Sequence, residues 1–469
     1  MKLKKLLKDL DVEVKGNREI EVTGISSHSQ FISPGSLFIA KKGGTFDGTE
    51  FIPKAIETGA VAVLTDFYNP FLQGIVQVVT NDVVKLEALL AKRYYETAAN
   101  PLFLVGITGT NGKTTTAYLI QHLLSKCGLM GTIETMIGKQ RFPAQLTTAD
   151  VVTNHKTLKE MADQGLKAAV MEVTSHALDQ NRVDEILFDV GVFTNFSQDH
   201  LDYHQTMENY LLAKLKLLKQ SKMGVFNRDD PHFQEIEGMG FGIDHPADLK
   251  GENLKFSLEG TTFDLHYKKR SYPIKTSLLG KHNVYNCLAA LAAALCKGES
   301  LTSLQKKLVT FPGVPGRLER IENKKGIHLF VDFAHTPEAL RKVLEILQEV
   351  KRGKLITVFG CGGERDRGKR PLMGEVAEKY SDRVIITSDN PRGEDPSAIC
   401  YEIAKGQKKE ALIEVDRYRA IERGIFMAEE RDTVLIAGRG HEREQKIGGR
   451  LIPFDDREVA LKISHLTEQ

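Results

Sequence analysis

Residues Gly109-Thr110-Asn111-Gly112-Lys113-Thr114-Thr115 set two glycines, one lysine and several hydroxyls within seven positions. Such a set can hold phosphate. Glycines let backbone N–H groups turn toward anionic oxygens, and the N-terminus of a following helix adds partial positive charge. Lys113 can reach the β- and γ-phosphates of a nucleotide, while Thr114 or Thr115 can offer a hydroxyl to Mg²⁺. The spacing departs from the usual loop, because Ile107 stands where the pattern wants glycine. An apolar, β-rich run at 102–107 enters the loop, and a helix on which Tyr118, Leu119, Leu123 and Leu124 share a face leaves it. The alternative is a glycine-rich turn with no ligand. The strand–loop–helix order favours a nucleoside triphosphate site.

Glu172 ends a predicted strand at 168–173. Strand C-termini in parallel sheets face the ligand crevice, so Glu172 points toward the loop, where a carboxylate suits Mg²⁺. On its own it reads equally as a solvated or salt-bridged residue. The strand at 190–194 runs into Thr194-Asn195-Phe196-Ser197-Gln198-Asp199-His200-Leu201-Asp202-Tyr203-His204. That stretch is either a solvated loop or a second metal position, with His200 the better ligand and His204 a cap or surface residue. Lys214, Lys216 and Lys219 on a helix at 210–219 read, from spacing alone, as its solvated face. Asn283 and Asn286, one turn apart, can face one ligand or cap a helix. Arg392, in Asp389-Asn390-Pro391-Arg392, follows a β run and offers a planar fork to a carboxylate; the alternative is a surface arginine.

These residues need a scaffold. With 469 residues the chain exceeds one ordinary core, and about three domains are expected. A net charge of +2 excludes the strong basic excess of a nucleic-acid binder but leaves small anionic substrates open. Five scattered cysteines without C-x-x-C spacing imply free thiols in a reducing cytoplasm. The basic start at 1–8 lacks an apolar core and reads as a short amphipathic helix, and no run of about 18 apolar residues spans a membrane. Strands and helices alternate after Asn100-Pro101 and again after the turn-rich 311–316, as parallel βαβ units with helices on both faces of the sheet require. The fold class expected is α/β, two such domains behind a smaller, strand-rich one.

The ordered motifs T-G-T-N-G-K-T-T, M-E-V-T-S-H, F-T-N-F-S-Q-D-H-L-D-Y-H, G-K-H-N-V-Y-N, P-G-R-L-E, V-D-F-A-H-T-P, F-G-C-G-G-E-R-D-R-G-K-R-P-L-M and D-N-P-R cover nearly the whole chain. Together they resemble the Mur ligases, ATP-dependent amide-forming enzymes of peptidoglycan precursor synthesis. The last two resemble the branch that adds the third residue to UDP-MurNAc-L-Ala-D-Glu. The resemblance implies three domains: 1–100 for the UDP-substrate, a P-loop ATP domain at 101–316, and a Rossmann-like amino-acid domain at 317–469. It implies an acyl phosphate on the D-Glu carboxylate, attacked by the incoming amine. Thr114 and Glu172 then hold one Mg²⁺ and His200 another, and Lys214, in a Y-x-x-A-K segment, is carbamylated. Asn283 and Asn286 approach the adenine, Arg317 the ATP phosphates, and Asp332 and His335 the nucleotide side of the last domain. Phe333 and Glu338 depart mildly from that motif.

For the UDP-dipeptide the resemblance implies Thr147, Thr148, Thr174, Gln180 and Arg182, with Ser27, Ser29 and the Gly44-Thr45-Phe46 turn in the first domain. There the usual D-S-R reads His28-Ser29-Gln30, so an acid and a base are missing; Ala149 replaces a frequent proline. Arg365, Asp389, Asn390, Pro391, Arg392, Gly438 and Glu442 match contacts to meso-diaminopimelate, Arg392 taking its distal carboxylate and Glu442 its distal ammonium. A cytoplasmic monomer that closes its domains on small-molecule substrates, with no nucleic-acid or membrane partner, is expected. Rival readings are a lysine-adding or folate-directed relative and a nucleotide-binding regulator; ATP turnover that needs both the UDP-dipeptide and an amino acid separates the last from the rest.

Overall fold

An apolar run such as Phe103–Thr108 offers water no polar face, so it belongs inside a sheet covered on both sides. In the computed structural model, which describes residues 1–43 and 47–465, the chain divides into two compact units. The first comprises 1–241 and 289–299, the second 242–288 and 300 onward. In the first, Phe103–Thr108 pairs in parallel with Ala168–Glu172 on one side and Phe188–Phe193 on the other. Cys127–Met130 extends one flank in parallel, and Ser221–Asn227 the other. Register sets Glu172 opposite Ile107, and Phe193 opposite Thr108. Three strand ends therefore deliver Glu172, Gly109 and Thr194 to the same edge, where the helix Lys113–Leu123 begins.

The sheet is not wholly parallel, which corrects the expected βαβ series. Cys127–Met130, Glu134–Ile137 and Gln140–Pro143 form an antiparallel ladder. In the second unit Leu249–Ser257, Gly260–Tyr267 and Arg270–Thr276 form another, turned at Lys268 and Lys269 with φ of 47° and 62°. Two consecutive positive-φ residues match the right-handed twist of a hairpin; neither is the glycine or asparagine that usually marks such a turn in a sequence.

The N-terminal segment forms a five-stranded sheet in the order Glu13–Lys15, Val76–Val79, Ala62–Thr65, Ser36–Ile39, Gly24–Ser26, with the first strand antiparallel. Val151 and Val152 of the helix Val151–Asp163 pack into its core. The amphipathic start shrinks to one turn, Leu3–Leu6, both of those leucines buried.

The second unit carries a sheet in the order Glu319–Ile321, His328–Asp332, Thr433–Ala437, Leu355–Phe359, Arg383–Ile386, Leu412–Ile413, parallel except for its first strand. Leu435 and Ala437 face a core shared with helices Pro337–Val350, Lys369–Tyr380 and Pro396–Ala404. Val434 and Ile436 face the opposite core, with Arg417–Phe426 and Asp456–Ser464. Period-2 alternation within one strand thus covers both faces with helices. Among the described residues no helix is long and apolar enough to cross a membrane.

Candidate active site

The glycine-rich loop leaves Thr108 with Gly109 at φ 145° and Gly112 at φ 86°. A Cβ on Gly109 would run into Thr194 Oγ1, so the tight approach of two strand ends demands glycine there. Lys113 folds back, donating to the carbonyls of Gly109 and Thr110 at 2.9 and 3.0 Å. The stretch after Phe188–Phe193 clamps this loop through Thr194, Asn195 and Ser197, while 197–200 are exposed. Asn111 N donates to Asn195 Oδ1 at 2.9 Å, Thr194 Oγ1 to the Asn111 carbonyl at 2.6 Å, and Ser197 N to Thr110 Oγ1 at 3.0 Å. The sequence marks Thr194-Asn195-Phe196-Ser197 as a polar stretch after a strand but carries no sign of this clamping role.

Glu172 is fully buried. Its carboxylate accepts from Thr114 Oγ1, Thr132 Oγ1 and the Thr132 backbone N–H, each at 2.9 Å. Thr148 Oγ1 caps the Glu172 carbonyl at 2.9 Å, and Thr147 Oγ1 lies 3.2 Å from Thr132 Oγ1. The solvated alternative for Glu172 is therefore excluded. Thr132, in a loop without a motif, was invisible in the sequence. The set is all oxygen, which suits a hard cation such as Mg²⁺. No cluster of three or more His, Cys, Asp or Glu side chains able to hold a metal exists among the described residues.

Lys214 is 1% exposed, against the solvated-face reading for its helix, Met207–Lys219. Its Nζ donates to the Gly109 carbonyl at 2.9 Å and lies 4.4 Å from the Tyr210 ring centroid. Burial, reinforced by the Lys113 charge, drives its pKa down to about 6. At neutral pH it is an uncharged amine. Lys216 instead pairs with Asp179 on the surface.

His200 precedes the single turn Leu201–His204, with φ 52° and its ring about half exposed, 4.8 Å from the His176 ring. His204 is buried and bonds Ser175 Oγ at 3.0 Å, so it is not a surface residue. Thr174 caps the helix Ser175–Asp179, Gln180 reaches Tyr203 Oη at 3.3 Å, and Arg182 binds the Thr148 carbonyl and Gln180. At the N-terminal sheet, Ser29 opens a short helical turn, Ser27 lies beside the buried Glu87, and His28 stands 3.8 Å from Asp150. Gly44, Thr45 and Phe46 lie outside the described residues.

In the second unit Asn283 and Asn286 are buried and bond each other at 2.9 Å, Asn283 also holding the Leu279 carbonyl. Arg317 lies over the Phe333 ring. Asp332 accepts from Leu318 and Ala334 N–H groups, burial raising its pKa. His335 bonds the Phe333 carbonyl. A separate constellation gathers at the ends of Arg383–Ile386 and Thr433–Ala437. Asn390 Nδ2 donates to Glu442 Oε2 at 2.7 Å, and Lys446 N donates to Asn390 Oδ1 at 2.9 Å. Arg392, after Pro391 and at φ 53°, is anchored by Nη1 to the Gly363 carbonyl at 2.6 Å. Arg365 is exposed nearby, its Cγ and Arg392 Nη1 both bordering Gly362. Gly438, at φ 117°, leaves room for Asp389 Oδ2, a buried acceptor with no hydrogen-bond partner among the described residues. An amide, a guanidinium and two carboxylates at one sheet edge can bind a zwitterion.

Three family models match: "Mur ligase family, catalytic domain" over 21–94, "Mur ligase middle domain" over 107–294, and "Mur ligase, glutamate ligase domain" over 316–440. A UDP-N-acetylmuramoyl-L-alanyl-D-glutamate–2,6-diaminopimelate ligase of Chlamydia caviae is 42% identical, with 99% of each chain covered. One of the same name from Aquifex aeolicus is 42% identical over 94% of this chain and 93% of its own. A solved structure of that title covers 100% of both chains at 34% identity and a TM-score of 0.74. MurF ligase from Thermotoga maritima, at 22% identity and a TM-score of 0.63, shares the fold over 95% of this chain and 97% of its own.

Proposed function

The chain belongs to the Mur ligase family, and from that membership we propose that it joins meso-diaminopimelate to the D-Glu carboxylate of UDP-MurNAc-L-Ala-D-Glu at the expense of ATP. The observation that carries this reading is the meeting of Lys113, Thr114, Glu172 and Lys214 at one strand edge. A binding-only protein has no use for a buried neutral amine beside a phosphate loop.

A D-Glu carboxylate oxygen attacks the γ-phosphorus, the bridging P–O bond breaks, and ADP leaves with the electron pair. The incoming amine then adds to the acyl carbon, loses a proton, and phosphate departs. Two anions must meet in the first step, so fixed positive charge dominates the demand on the protein. Lys113 supplies part of it. Thr114 and Glu172 would hold one Mg²⁺ and His200 a second, with a carbamylated Lys214 as a further oxygen ligand, neutralising phosphate charge. Uncharged Lys214 can add CO₂, forming an N–C bond and releasing one proton. The product is an oxygen anion where an ammonium would have repelled the metal.

Thr147, Thr148, Thr174, Gln180 and Arg182, with Ser27 and Ser29, serve the UDP-dipeptide. Asn283, Asn286, Arg317, Asp332 and His335 serve ATP. Arg392 takes the distal carboxylate of diaminopimelate, Arg365 and Asp389 lie along it, and Glu442 faces its ammonium. We place the domains at 1–100, 101–316 and 317–469, in a monomeric cytoplasmic enzyme. The test is phosphate release from ATP with Mg²⁺, omitting each substrate in turn. Release that needs both the UDP-dipeptide and diaminopimelate is expected; release without the amino acid would overturn the ligase reading.

A further inference from the structure

Arg439 was assigned no role from the sequence, yet it is one of the largest fully buried side chains in the protein. It follows Gly438 at the end of Thr433–Ala437, lies 5.2 Å from the Phe454 ring and donates from Nη2 to the Phe454 carbonyl at 3.0 Å. Its other donors are poorly satisfied. Nε stands 3.7 Å from Glu442 Oε2 and Nη1 3.7 Å from Asp456 Oδ1, and neither makes a hydrogen bond among the described residues. Asp456 faces it as an opposite charge without bonding it. That carboxylate is taken by Arg417, through Nε at 2.8 Å and Nη2 at 2.7 Å, while Arg417 also binds the Ser388 and Ala437 carbonyls at 3.0 Å. Asp456 thus serves two guanidinium groups, and Asp389 and Glu442 supply the remaining negative charge around Arg439.

We propose that Arg439 is the positioning residue of the amino-acid pocket: it holds Glu442 ionised and aimed at the substrate's ammonium without touching the substrate. The proposal rests on the diaminopimelate reading above and deepens it. Glu442 needs such support. Asp389, beyond the end of Arg383–Ile386, acts on it as a like charge, and burial together with that charge raises its pKa; Asn390, Arg439 and Lys446 oppose the rise. An uncharged Glu442 would give an ammonium no counter-charge. Asn390 already donates to one carboxylate oxygen at 2.7 Å, and Arg439 Nε stands 3.7 Å from that same oxygen.

The experiment compares wild type, R439Q and R439K by diaminopimelate-dependent phosphate release between pH 5.5 and 9. R439Q retains a donor for the Phe454 carbonyl but no charge, and R439K retains the charge. An opposite charge within about 4–6 Å lowers a carboxyl pKa by about 1–3, so in R439Q the acid limb of kcat/KM for diaminopimelate should move up by about one pH unit. Below that limb KM for diaminopimelate should rise about tenfold, with KM for ATP unchanged and R439K close to wild type. Limbs that coincide in all three proteins, or R439Q and R439K shifted alike, would overturn the proposal and leave Arg439 a packing residue. Should R439Q fail to fold, E442Q decides: the acid limb must disappear, and its persistence overturns the proposal. Wild type inactive with diaminopimelate would instead sink the parent reading.

Discussion

Replacing Lys214 by methionine should abolish turnover and yet raise stability. The amine is buried against Gly109 O and the Lys113 charge, with its pKa lowered from 10.5 to about 6. Between those values the unfolded chain binds one proton more than the folded one, so wild-type stability rises with pH across that window. At pH 7 the gap to the ordinary amine value sets an upper bound of about 4–5 kcal/mol on the cost of burying the group uncharged. Loss of the hydrogen bond to the Gly109 carbonyl offsets about 1–3 kcal/mol of that. K214M should therefore gain about 1–3 kcal/mol near pH 7, or about 2–4 °C in Tm per kcal/mol for a unit of this size. The gain is greatest at and below about pH 6, shrinks as pH rises, and turns into a net loss above about pH 8–10, where the lost hydrogen bond outweighs the remaining charge cost. The assay is thermal unfolding in CO₂-free buffer, without nucleotide or Mg²⁺, at several pH values, beside phosphate release for activity. Bicarbonate should not restore the mutant. A K214M protein less stable than wild type near pH 7, or a gain independent of pH, would refute the assignment of an uncharged buried amine; an active mutant would refute its role.

E172Q should lower turnover at least about 100-fold at saturating ATP, because charge stabilisation at transferred phosphate is lost; near-normal phosphate release would contradict the cation site. N195A removes the acceptor for Asn111 N, and loosening the loop should raise KM for ATP about tenfold, since about 1–1.5 kcal/mol rides on such a bond; steady-state kinetics with ATP varied checks this. R392M should raise KM for diaminopimelate by about 100-fold or more while leaving kcat within about twofold, as a carboxylate loses its bidentate partner. Equal losses in kcat and kcat/KM would place Arg392 in the chemistry instead. R417M leaves Asp456 buried without its principal partner and should cost about 3–5 kcal/mol, read by denaturant unfolding.

The sequence made the parallel core legible because apolar runs such as 168–172 have one placement in an α/β sheet, and observed ends differ from expected ones by a residue or two. The hairpin Gly260–Tyr267 to Arg270–Thr276 escaped because its turn at Lys268 and Lys269 lacks the glycine or asparagine that marks one, whereas the hairpin Glu134–Ile137 to Gln140–Pro143 does carry such a signal in Gly138, at φ 61°. Glycines and Lys113 declared the phosphate loop directly. Its clamp did not: Thr194 and Asn195 acquire meaning only when two parallel strands end side by side. Lys214 shows the limit most clearly, since helical spacing cannot tell a solvated lysine from one facing a loop brought in from 105 residues away. Arg417, Arg439 and Asp456 come from separated elements and form a network with no linear signature.

The most direct test of the diaminopimelate assignment is product identity under competition. The enzyme is given ATP, Mg²⁺, UDP-MurNAc-L-Ala-D-Glu and an equimolar mixture of meso-diaminopimelate and L-lysine, and the UDP-linked product is resolved by mass. Nearly all product should carry diaminopimelate. A product carrying mainly lysine would contradict the pocket built around Arg392 and Glu442, and no tripeptide at all would contradict the ligase itself.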